Sequence, residues 1–259
     1  MKRLAATILC LVLLASASLS FAAEYKFTVR NGDRSEKRIC ITVDDCINTE
    51  MMQAIFELGQ ELEIPMTFFI LGSGIQEKDQ ELWQRIAQSD CELGNHTYGH
   101  ASLPRKEQEY IVRTLNRTQR RLDQVLGFHY PMQVMRPPYG KVRIGDGSNI
   151  HVVRSVQAAG YDHLILWDVD ETDVEKCYKD VQNGSILLFH TNPLDYSTLQ
   201  QLLPMLKADG SEFVTISQML GKDPVAIREF TPEEAQEMSA YNDATDQEPE
   251  ELPEDLYEE

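Results

Sequence analysis

Positive charge is scarce in this chain. Its 259 residues carry 24 Lys plus Arg against 42 Asp plus Glu, a formal net charge of −18 at pH 7. A field of that sign repels polyanions, which sets aside nucleic acid and anionic membrane surfaces as partners. Cysteine is sparse as well. There are five, none in a Cys-x-x-Cys spacing, so a four-cysteine metal site is disfavoured. Internal repeats are absent, which excludes solenoid and propeller arrays. What is there is enough apolar material, 42% of residues, for one sizeable core.

The two ends differ from the middle. Lys2 and Arg3 precede an apolar run over residues 4–14 and a small-residue stretch over 15–23, the charge, length and exit chemistry of a secretory signal peptide. Residues 1–23 are therefore expected to be removed, leaving an exported chain, periplasmic or extracellular, without stable membrane insertion. An uncleaved anchor is the alternative, although Ser16, Ser18 and Ser20 dilute the second half of the run. Cleavage leaves Cys40, Cys46, Cys91 and Cys177, an even number that suits an oxidising compartment; three full pairings and free buried thiols all stay open. Residues 232–259 hold twelve acidic residues, three prolines and no Lys or Arg, a composition expected to form a solvated, disordered tail. Residues 24–35 read as an N-terminal extension and residues 36–231 as the folded domain.

In that domain short apolar runs alternate with amphipathic stretches. Residues 38–43, 66–71, 91–95, 133–136, 163–167, 185–189 and 212–215 read as strands, several apolar enough to be buried on both faces. The clearest helix is 106–126, where Ile111, Leu115, Leu122 and Leu126 share one face and Gly127 supplies a stop. Seven such alternations predict one α/β domain with a parallel sheet, open or closed into a barrel.

The polar residues that stand out follow these strands. Asp44 and Asp45 come after the first, His96 and His100 after the third, Arg136 ends the fourth, Asp170 follows the fifth and His190 the sixth. In a parallel α/β fold the carboxyl ends of strands lie on one face, so residues distant in sequence are expected to converge there. Taken singly, Asp44-Asp45 is as consistent with a turn, His190 with a core-edge histidine and Arg136 with a pinned turn before Pro137-Pro138. His96 and His100, four apart, fall on one side of a helical turn and with one carboxylate form a facial set. Such a set holds a divalent ion and leaves a position for water. Zn²⁺ suits it best, and Co²⁺, Mn²⁺ or Fe²⁺ are compatible.

Assembled in order, these segments make residues 36–221 resemble the polysaccharide deacetylase family, the NodB-homology carbohydrate esterases of family 4. Thr42-Val43-Asp44-Asp45, His96-Thr97-Tyr98-Gly99-His100, Arg136-Pro137-Pro138-Tyr139, Asp170-Glu171-Thr172-Asp173 and Leu188-Phe189-His190 are similar to its five motifs. The resemblance implies a distorted seven-stranded (β/α) barrel and a metal-dependent hydrolase acting on N-acetyl groups of a carbohydrate polymer or oligosaccharide. It implies that Asp45, His96 and His100 hold the metal and that Asp44 is the general base, held by Arg136. The backbone N–H of Tyr139 would stabilise the oxyanion, and His190 would be the acid, with Asp170 favouring its charged, oriented form.

Three positions depart from the family pattern. Cys46-Ile47 stand where Gly-Pro is common, Val174 where a tryptophan is typical, and Thr191-Asn192 where an Asp commonly follows the histidine. The alternatives are therefore a glycan-binding protein of the same fold with weakened turnover, and an O-acetyl esterase, which needs less help from His190 because an alkoxide leaves more readily than an amide anion. No separate carbohydrate-binding module is evident, so a substrate groove is expected from loops such as residues 72–78 and 146–149.

Overall fold

A computed structural model of the protein describes residues 27–145 and 147–240; the expected signal segment, Asp146 and residues 241–259 lie outside them. In chain order the elements are β1 (Thr28–Val29), β2 (Arg38–Asp45), α1 (Thr49–Leu62), β3 (Met66–Ile70), α2 (Gln80–Ala87), β4 (Glu92–Asn95), α3 (Gln108–Leu126), α4 (Ile150–Ala158), β5 (Leu164–Ile165), α5 (Val174–Asp180), β6 (Ile186–His190), α6 (Pro193–Ala208), β7 (Glu212–Phe213), α7 (Ile216–Met219) and α8 (Pro232–Ala240). This is an α/β fold with a parallel sheet. The ladder runs β4-β3-β2-β6, β7 pairs the amino end of β2, and β1 pairs β5.

The central strands are buried because their side chains are apolar on both faces. All five residues of β3 and the interior six of β2 are buried, as a sheet covered by helices on its outside requires. On α3 the residues Ile111, Leu115, Leu122 and Leu126 are buried against this sheet, and Gly127 ends the helix with φ of 79°, a left-handed turn that glycine adopts without strain.

One expected strand is replaced by isolated bridges. Residues 133–136 form no ladder; Met135 instead makes single parallel bridges to Asn95 and to Leu164. Proline at 131, 137 and 138 removes backbone donors on both sides, so only a short bonded stretch survives. The single bridges through Met135, with Val169 to Leu187 and Asn31 to Ser185, carry the circuit from β4 through β5 and β1 back to β6. β4, β3, β2 and β6 are thus joined by continuous ladders, β1 and β5 by a two-residue ladder, and these two groups are linked by isolated bridges. β1 belongs to the stretch read as an extension, which is tied in further by Arg34 Nη2 to Asp168 Oδ2 at 2.6 Å and Gly32 N to Gly184 O at 2.7 Å.

At the other end, the acidic stretch opens with α8, none of whose residues is buried; Arg228 and Glu234 hold its first turn with two contacts of 2.7 and 2.6 Å. The four cysteines 40, 46, 91 and 177 are buried free thiols. Burial pushes their titration up, that of Cys177 to about 12.

Candidate active site

β2 delivers two consecutive carboxylates to its carboxyl end. In a regular strand they would point to opposite faces. Here Asp45 and Cys46 both adopt positive φ, 67° and 58°, and the chain turns so that both acids face one imidazole: His96 Nε2 lies 3.7 Å from Asp44 Oδ2 and 3.4 Å from Asp45 Oδ1.

The histidine segment after β4 is a loop, not the helical turn expected from the four-residue spacing. Thr97 and His100 have φ of 72° and 63°. Asn95 organises the loop from a buried position: its Oδ1 accepts the Thr97 N–H at 2.9 Å, while its Nδ2 donates to Leu115 O and to Tyr161 Oη at 2.9 and 2.8 Å. Thr114 Oγ1 on α3 accepts the Tyr98 N–H at 3.0 Å. These long-range bonds replace the helical ones and still bring the two imidazoles to 5.0 Å between centroids. His100 Nε2 is 3.4 Å from the same Asp45 Oδ1.

Arg136 lies beneath, fully buried. Its Nη1 donates to Asp44 Oδ1 at 2.6 Å and to Thr42 Oγ1 at 2.8 Å, and its Nη2 donates to Leu166 O at 3.2 Å. The guanidinium lies over the Phe69 ring at 4.2 Å, which supplies a cation–π contact in a desolvated setting. The same residue's carbonyl accepts from His96 Nδ1 at 2.8 Å. That bond fixes the proton on Nδ1 of the neutral ring and leaves the Nε2 lone pair facing Asp45. Tyr139, with φ of 59°, follows the proline pair at the rim, its ring 4.4 Å from that of His100.

His190 ends β6, and the ladder pairs it directly with Asp44. Its near carboxylate in the structure is Asp195. Asp195 Oδ2 accepts the His190 backbone N–H at 2.6 Å and lies 3.5 Å from Nδ1. Asp170 is exposed, and among the described residues no hydrogen bond or ion pair joins it to His190; its charge acts on Arg136. Asp195 was missed in the sequence, though Asn192-Pro193-Leu194-Asp195 has the spacing of a helix-capping box immediately after β6.

Electrostatics follow the geometry. Burial works to raise the Asp45 carboxyl, but His96, then His100 and His190, hold it down at about 2. Burial works to lower His96, yet Asp44 and Asp45 raise it above the ordinary histidine range. His100 is lowered to about 4 by burial and by His96. His190 is raised, first by its hydrogen bond to Asp195, against burial, and then by Asp44 and Asp45.

The donors fit a divalent ion. Asp45, His96 and His100 each direct a ligand atom into one space, all within 4.8 Å of one another. Asp45 Oδ1 is buried without a hydrogen-bond partner among the described residues, facing imidazole nitrogens that Arg136 O forces, at least for His96, to present a lone pair. Such a buried acceptor set is unfavourable until a cation or protons occupy it.

Fold and cluster together define a class: α/β proteins whose parallel sheet carries an Asp-His-His candidate metal centre at its strand ends. Within that class the chain belongs to the polysaccharide deacetylase family, whose model matches residues 31–164; the match stops short of Asp170 and His190. The peptidoglycan-N-acetylglucosamine deacetylase of Bacillus cereus is 26% identical over 216 residues, 77% of this chain and 74% of that protein. The peptidoglycan-N-acetylglucosamine deacetylase PgdA of Listeria monocytogenes is 26% identical over 199 residues, 73% of this chain but only 40% of PgdA. Among solved structures, the Bc1960 peptidoglycan N-acetylglucosamine deacetylase superposes with a TM-score of 0.66 at 24% identity, covering 78% of this chain and 97% of that one. BA3943, a CE4 family pseudoenzyme from Bacillus anthracis, does so with 0.65 at 20% identity, covering 76% and 71%. At these identities the structural likeness concerns the fold, which an enzyme and a pseudoenzyme share.

Proposed function

We propose that the protein is an exported, metal-dependent polysaccharide deacetylase that hydrolyses N-acetyl groups of a glycan, with peptidoglycan, the substrate named for its relatives, as the first to test. The observation that carries this reading is the meeting of an Asp45-His96-His100 donor set with a buried Asp44-Arg136 pair at one end of the sheet. Zn²⁺ is the ion best suited to two imidazoles and a carboxylate, with Co²⁺, Mn²⁺ or Fe²⁺ able to replace it. When bound, it supplies Lewis acidity toward water and the amide carbonyl.

The chain's own residues divide the proton transfers. Arg136 engages Asp44 through Oδ1 and leaves Oδ2 to accept a proton from the attacking water. Addition of that water to the acetyl carbonyl creates an oxyanion, for which the Tyr139 N–H, at the rim beside His100, is the assigned donor. His190, whose affinity for a proton is raised, then donates to the glycan nitrogen; the C–N bond breaks and acetate and a free amine leave. Opposite tasks for a carboxylate and an imidazole on neighbouring strands are the expected arrangement for amide hydrolysis.

The purified protein, supplied with zinc, is expected to release acetate from N-acetylated glycan. Asp44→Asn should lower release by about 10²- to 10⁴-fold while zinc content, measured by elemental analysis, stays at the wild-type value. Unchanged release in that variant defeats the mechanism. Glycan binding without release across peptidoglycan, chitin-like oligomers and O-acetylated polymers defeats the enzyme reading.

A further inference from the structure

Resting on the reading of His190 as the acid, the surroundings of that residue identify a side chain outside the family motifs. Asp195 is the third residue of α6, and Asn192 caps that helix. Asn192 Oδ1 accepts the Asp195 N–H at 3.0 Å, and Asp195 Oδ2 accepts from Asn192 Nδ2 at 3.1 Å and from the His190 N–H at 2.6 Å. The same oxygen lies 3.5 Å from His190 Nδ1, a gap that a small rotation of the half-exposed ring closes, as catalytic hydrogen bonds often tighten only with substrate present. Asp195 is buried, 4% exposed.

Capping of α6 accounts for the Asp195 N–H to Asn192 Oδ1 bond alone, since the Asn192 N–H, which a reciprocal box would give to Asp195, goes to His190 O. It does not require a charge facing the ring. The amino end of a helix disfavours a nearby imidazolium, and a carboxylate in the first turn of α6 reverses that sign. An Nδ1–H aimed at Asp195 also leaves Nε2, on the opposite edge, as the nitrogen that meets substrate. The charged groups that act most strongly on His190 are Asp44 and Asp45 from β2 and Asp195 from α6, and His100 of the histidine loop faces it as well.

We propose that Asp195, and not Asp170, is the positioning residue of His190, fixing its tautomer and orienting Nε2 toward the scissile nitrogen.

The test is the titration of the His190 ring nitrogens by long-range ¹H–¹⁵N correlation in the full chain with zinc, for wild type, Asp195→Asn, Asp170→Asn and Asn192→Ala. Asp195→Asn keeps an acceptor for the cap but loses the charge, and should lower the His190 midpoint by about one pH unit or more with little change in melting temperature. Acetate release should fall in kcat, about tenfold above that midpoint, with KM unchanged. Asp170→Asn should leave the midpoint where it is. Asn192→Ala removes the cap but keeps the carboxylate, and should lower the melting temperature without moving the midpoint. A midpoint that follows Asp170, or one that ignores Asp195, overturns the proposal, as does a shift in Asn192→Ala as large as that in Asp195→Asn. Acetate release retained in His190→Ala would instead remove the reading of His190 as the acid, and the titration would still report whether Asp195 pairs with it.

Discussion

Arg136 acts through two separate groups. Its guanidinium holds Asp44 and Thr42, and its carbonyl sets the proton of His96, so one residue couples Asp44 to the candidate Asp-His-His set. Arg136→Met leaves a buried carboxylate without its counter-charge, and a loss of about 3–5 kcal/mol is expected, read from urea unfolding; acetate release should fall with it. An arginine ahead of a proline pair was legible as a residue that either pins a turn or holds the base. The carbonyl's role was not, because a main-chain acceptor leaves no trace in residue type. The joint approach of Asp44 and Asp45 to His96 was hidden for a related reason: it depends on left-handed backbone at Asp45 and Cys46, which neither side chain announces.

Among the elements, the histidine loop is held by packing as much as by hydrogen bonds. Gly72 lies where an added Cβ would collide with Tyr98 Cδ2 and meet Thr118 Oγ1 and Cα on α3 at 2.9 and 3.1 Å. The α3 backbone has little room to yield, so Gly72→Ala should displace Tyr98 and with it the loop that carries His96 and His100. Overpacking of this kind costs about 1–3 kcal/mol, and zinc affinity, followed by calorimetric titration, should weaken alongside the drop in unfolding free energy. The apolar runs of β2, β3 and β6 were readable because burial on both faces demands them. The loop was not: its conformation comes from Asn95, Thr114 and Tyr161, contacts that no local periodicity encodes. Residues 133–136 fall between the two cases, strand-like in composition but cut short by flanking prolines.

Across the whole molecule, the end of the sheet opposite the site carries its own buried acid. Glu92, at the start of β4, accepts from Thr67 Oγ1 and Ser217 N, each at 3.0 Å, and from Ser217 Oγ, fastening α7 beneath the strands. Burial raises its carboxyl above the ordinary glutamate value despite these donors. The folded state therefore keeps a proton that the unfolded chain gives up. The stability linked to it is fully present below the unfolded-state value near 4.5 and is lost as pH rises through the higher folded value. Wild type should lose stability relative to Glu92→Gln over that rise, by at most about 1.4 kcal/mol per pH unit, as measured by denaturant midpoints at constant ionic strength. The convergence of Asp44, His96, Arg136 and His190 was legible at this scale, since parallel topology gathers strand ends. The approach of Asp195 to His190 was not, because it rests on how α6 leaves β6.

The register that sets Asp44 opposite His190 has one more result. In the proposed mechanism the backbone spacing between the residues assigned as proton acceptor and proton donor is set by the repeat of the parallel sheet, about 4.8 Å between neighbouring strands, and not by a loop. Loops around the mouth can be rebuilt to admit a different polymer while this built-in ruler keeps its length, so a change of diet need not disturb the stroke of the chemistry.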